Sequence, residues 1–230
     1  MKQISIGDLV SRAWDLAVKH WPIFVLLSII SGICGSLYSG DSSALAALGQ
    51  HPDPEEIFEA LSYSFNPGKT FFGMLLSTYV GLITYRMLVN AVNTGKPYEA
   101  LSEVLRVDLI KYALFLGVLI LMGACLVFGY ALCIIPGLFL TVHWMFVPLI
   151  AATEDVSVGE AFGRSWQLTK GHFWKLIGLL LAEIGIAIVG FCACFVGIFF
   201  AEVIIEFANV LAYNDLKGQD APAADFVGVQ

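Results

Sequence analysis

Four apolar runs set the terms on which this chain can fold. A helix rises about 1.5 Å per residue, so roughly 20 residues cross a bilayer core about 30 Å thick. Residues 21–38 and 71–93 form runs of that order, whereas residues 112–153 and 173–213 are double-length. The first double run contains Pro136-Gly137, which predicts a tight turn between two spans at that point. The second contains no proline, and its turn is expected between residues 191 and 197. The expectation is an all-α integral membrane fold with six transmembrane helices.

Composition agrees. The chain is 58% hydrophobic and 13% charged, against about a quarter charged in an ordinary soluble domain. In water that balance would leave large exposed apolar patches. The net charge of −7 is spread over several loops without a basic patch, which argues against nucleic-acid binding. Cys34, Cys125, Cys133, Cys192 and Cys194 all lie in apolar runs, with no Cys-x-x-Cys pair. They read as small packing residues rather than a disulfide framework or a zinc site. The first apolar run starts only near Trp21, so the first span is expected to be a retained anchor.

Lys and Arg are distributed unevenly. Lys2, Arg12, Lys19, Lys96, Arg106, Lys111, Arg164, Lys170, Lys175 and Lys217 fall on one side of the expected spans, and Lys69 falls on the other. Such a bias marks the cytoplasmic side. The predicted location is a bacterial inner (plasma) membrane, multi-pass, with both termini cytoplasmic. The outer loop, residues 39–70, has Asp53, Pro54, Glu55 and Glu56 in the order of a helix start. The tail, 215–230, is expected to be disordered.

The chain also repeats itself. Residues 4–21 align without gaps to residues 156–173, and Ser5, Gly7, Arg12, Trp14, Leu16 and His20 recur as Ser157, Gly159, Arg164, Trp166, Leu168 and His172. A fainter copy spans residues 97–112. Each copy precedes two spans. A single membrane domain over 1–214 is therefore predicted, built from three units at about 1–93, 94–153 and 154–214. Each unit is an interfacial amphipathic helix followed by a transmembrane hairpin. In the first copy Ile6, Leu9, Val10, Ala13, Ala17 and Trp21 share one helical face. Ser157 and Glu160 have capping-box spacing. Membrane lipids are the expected partners of these helices, with Arg12 and Arg164 as candidate headgroup contacts.

Ionisable residues inside a bilayer cost at least about 2.5 kcal/mol near the centre, so they mark partners or a task. The candidates here are Arg86, His143, Glu183, Glu202 and Glu206. Glu202 and Glu206 are spaced to share one helix face. One reading pairs Arg86 with Glu202 or Glu206 as a clamp. The other is a polar cavity in which the glutamates exchange a proton or hold a cationic solute. A metal site from His143, Glu183 and Glu202 has suitable ligand types but no spacing motif, and no metal or cofactor is expected. No catalytic motif is present, so an enzyme is not expected. The functional expectation is binding or transport of a lipid or small solute. The rival is a non-catalytic scaffold or assembly factor that recruits protein partners through the interfacial helices.

Pro136-Gly137, Ala161, Ser165-Trp166, Thr169-Lys170-Gly171 and Tyr213-Asn214-Asp215-Leu216 resemble a broad group of prokaryotic multi-pass membrane proteins. The same pattern occurs in the membrane domain of some glycerophosphoryl diester phosphodiesterases. The resemblance covers roughly residues 101–216. It implies the membrane fold alone, since catalysis in those enzymes belongs to a separate soluble domain.

Overall fold

In the computed structural model, the structure describes residues 5–38, 53, 55–56, 67–97 and 105–220. Among them every regular element is a helix: α1 (Ile6–Tyr38), α2 (Pro67–Thr94), α3 (Leu109–Leu132), α4 (Ile134–Trp144), α5 (Val147–Thr153), α6 (Val158–Thr169), α7 (Phe173–Cys192) and α8 (Cys194–Asp220). Six segments are long and apolar enough to cross a membrane: Ile6–Gly35, Thr70–Thr94, Leu109–Leu132, Ile134–Thr153, Phe173–Cys192 and Gly197–Gly218. The fourth joins α4 and α5 across a break at residues 145–146.

The centre of the bundle is α8. It packs most extensively on α1 and α7, while α1 also packs on α2. Phe24 of α1 and Phe207 of α8 meet edge to face at 5.0 Å, and both are fully buried. Side chains on the outer faces of α3 and α7, such as Phe128 and Phe191, are exposed and apolar, as a lipid-facing surface requires.

Both hairpin turns fall at single residues. The first lies at Cys133, whose extended backbone separates α3 from α4. It does not lie at Pro136-Gly137, where the sequence predicts it. Pro136 sits in the first turn of α4 instead, where a missing N–H leaves no helical bond unmade. Gly137 lets the ring of Tyr130 pack where a Cβ would collide. The second turn, at Ala193, is inside the expected window. A Cβ on Gly190 would lie 2.5 Å from the Ala201 Cβ and 2.7 Å from the Gly197 carbonyl oxygen. The two glycines thus let α7 and α8 close tightly.

The two strong repeat copies fold differently. The later one forms the separate helix α6, capped as its spacing predicts: Ser157 N–H donates to Glu160 Oε2 (2.8 Å), and Glu160 N–H donates to Ser157 Oγ (3.4 Å). Gly171, in the left-handed region at φ 88°, then turns the chain into α7. The first copy has Lys19 at that place. A side chain disfavours the left-handed turn, and α1 continues unbroken into its span. A separate first interfacial helix is therefore not formed. Residues 98–104 of the faint copy lie outside the described residues, as does most of the outer loop. There Asp53 N–H donates to Glu56 Oε2 at 3.4 Å. At the other end, α8 runs through Asp220, past the point where the tail is expected to begin. Asp215 and Lys217 are held by ion pairs that favour its continuation.

Candidate functional site

The polar residues of α8 lie at spacings of four and three: Glu202, Glu206, Asn209, Tyr213 and Lys217. At 3.6 residues per turn these fall on one ridge of the helix. Its two ends are satisfied very differently.

At the C-terminal end the ridge meets Glu154, which directly follows α5. Tyr213 Oη and Lys217 Nζ each donate to Glu154 Oε1 at 2.5 Å, and Arg164 Nη1 of α6 donates to Oε2 at 2.5 Å. Burial raises the Glu154 pKa, but the bonds from Lys217, Tyr213 and Arg164 outweigh it and hold the carboxyl below its ordinary value. Three helices are tied at one carboxylate. Nearby, Lys111 pairs with Asp155 at 2.6 Å and lowers the pKa of that carboxyl too.

At the N-terminal end, within the membrane span, the ridge faces α7, α1 and α2. The Asn209 side chain lies beside Glu183 of α7. Ser28 of α1 lies beside Glu202. Tyr85 of α2 lies near both Glu206 and Glu202. Three acceptors here are buried without a hydrogen bond: Glu183 Oε1, Glu206 Oε2 and Asn209 Oδ1.

The structure thus brings Glu183, Glu202 and Glu206 to neighbouring faces of α7 and α8, and separates the other sequence candidates from them. Arg86 does not form the expected clamp. Its Nε donates to the Ala152 carbonyl and its Nη1 to the Arg106 carbonyl, both at 3.3 Å. Carbonyls at the end of α5 carry the negative end of the helix dipole and lack helical partners, so they attract the guanidinium. His143 is buried in an aromatic stack, with ring centroids 4.2 Å from both Phe139 and Trp166. Its Nδ1 lies 2.9 Å from the Phe139 carbonyl oxygen. It joins α4 to α6 rather than meeting the glutamates. Arg12 and Arg164, the candidate headgroup contacts, are both held by carboxylates. Arg12 Nη2 lies 2.5 Å from Asp215 and its Nε 3.2 Å from Asp8, while Arg164 binds Glu154.

Sequence reading missed Glu154, Asn209, Ser28 and Tyr85. The four-and-three spacing of α8 was the available signal for Asn209. Glu154 was hidden at the edge of an apolar run, where a carboxylate reads as ordinary loop.

Six apolar helical segments around a partly polar centre define a multi-pass α-helical membrane protein. Residues 118–214, from α3 into α8, match the family described as the membrane domain of glycerophosphoryl diester phosphodiesterase. No curated protein and no solved structure matches the chain.

Proposed function

We propose that this protein binds or moves a lipid or a small solute through the polar site between α7 and α8, without catalysis. The carrying observation is the set of buried acceptors on Glu183, Glu206 and Asn209 that lack a donor. An unmet polar group costs several kcal/mol in an apolar medium. A ligand with donor groups, or a proton, would relieve that cost. Membrane lipids are the expected partners. The Lys/Arg asymmetry supports a bacterial inner-membrane location with cytoplasmic termini. The capped helix α6 and its aligned counterpart at the start of α1 support the reading as repeated units.

The test is the series Glu183→Gln, Glu202→Gln and Glu206→Gln, combined and reconstituted in vesicles. Loss of co-purifying lipid, or of solute uptake, is the expected result. Unchanged bound lipid and unchanged uptake in the combined variant would overturn the proposal. A scaffold would instead lose a co-purifying protein when Arg12 and Arg164 are changed.

A further inference from the structure

A second polar feature lies away from the carboxylate ridge, at the start of α3. A cavity of about 540 Å³ opens between the first turns of α3 and the segment that links α5 to α6. That volume falls within the roughly 300–1,000 Å³ usual for small-ligand pockets. Its lining has equal numbers of cations and anions: Arg86, Arg106 and Lys111 with Asp108, Glu154 and Asp155. Most of these are committed elsewhere. Lys111 pairs with Asp155, Glu154 holds its three donors, and Arg86 holds two carbonyls.

Arg106 and Asp108 differ. They stand two apart on the short segment that leads into α3, and no hydrogen bond or ion pair ties either side chain among the described residues. Asp108 is the N-cap residue of α3, yet its side chain makes no capping bond. The cavity therefore offers one uncommitted cation and one uncommitted anion, beside the first amides of a long helix. Its third component is apolar. Ile110 and Leu114 line it, and Ile110 is 76% exposed on the face of α3 that continues through Leu121 and Phe128.

We infer that this cavity binds a phosphate diester bearing an ammonium group, as presented by the headgroup of a zwitterionic phospholipid. Arg106 and the start of α3 take the phosphate, and Asp108 takes the ammonium. The acyl chains lie along the exposed apolar face of α3. Balanced charge disfavours a purely anionic headgroup, which would leave Asp108 facing the phosphate. This site does not depend on the glutamates of α7 and α8.

The test uses the full chain in detergent, with bound lipid measured by native mass spectrometry after exchange. The probes are phosphatidylethanolamine, phosphatidylglycerol, soluble glycerophosphoethanolamine and inorganic phosphate. Phosphatidylethanolamine should be retained most. Arg106→Gln or Asp108→Asn should weaken it by roughly ten- to a hundredfold, the loss of a charge-assisted hydrogen bond. Leu114→Trp, which fills the cavity without changing charge, should weaken it as well, and it keeps the test decisive if a charge variant misfolds. Equal retention of phosphatidylglycerol overturns the zwitterion assignment. Equal binding of soluble glycerophosphoethanolamine overturns the lipid source, and unchanged binding in the folded variants overturns the site.

Discussion

Glu154 and Glu206 serve one helix in opposite ways. Glu154 receives Tyr213 and Lys217 from α8 and Arg164 from α6. Glu206, two turns before Tyr213 on the same ridge, keeps a buried oxygen without any donor. A carboxylate with all its bonds made inside the protein holds the fold together. One left without them costs stability, and so points to a ligand or a proton. The contrast separates fastening from function without reference to any relative.

The largest effect should come from the fastened carboxylate. Glu154→Ala strands three donors at once and should destabilise the protein in detergent by about 2 kcal/mol, discounted for the partial exposure of Arg164 and Lys217. A melting temperature equal to wild type would break the comparison. Glu206→Leu should do the reverse and stabilise by about 1 kcal/mol, because it removes an unmet buried acceptor. A clear fall in melting temperature would show that Glu206 fastens the fold as well. Tyr213→Phe removes one hydrogen bond to Glu154 and should cost about 1 kcal/mol, measured in the same denaturation.

Acid sharpens the contrast further. The Glu154 carboxyl is held below its ordinary value of 4.5 in the folded state. Its contribution is therefore fully present above that value and is lost as pH falls through the lower folded one. Stability measured from neutral pH down through that window should decline less steeply in Glu154→Gln than in wild type. The smallest effect belongs to Lys111→Met. Its partner Asp155 has a side chain 93% exposed, and such a pair is screened by solvent and salt. No measurable change in melting temperature is expected.

Much of the fold was legible because bilayer thickness and helix rise leave few choices for apolar runs of this length. The turn at residues 191–197 was located by length alone, and the structure adds Gly190 and Gly197 as its cause. The turn near Pro136 was misplaced because proline signals a break without saying on which side of it the chain bends. The capping box of α6 was legible because it is local. The site was legible only in part. Glu183, Glu202 and Glu206 stand out by charge against an apolar background, and their neighbours do not. Arg86 was mispaired because its long side chain reaches carbonyl groups, which sequence does not display as partners. The two repeat copies differ at the place where the later one turns, Lys19 against the left-handed Gly171.

That position has a mechanical consequence for α1. Two of the places where the helix meets α8 are Arg12 on Asp215 and Ser28 beside Glu202, on either side of the Phe24–Phe207 contact. They are separated by roughly 24 Å of continuous helix at 1.5 Å per residue. Pro22 lies between them and removes one backbone hydrogen bond, but the helix runs on through it, so a slide of α1 that draws Ser28 away from Glu202 also pulls on the ion pair at the far end. A displacement at Glu202 that moves Ser28 is thereby carried to the rim by a single connecting rod.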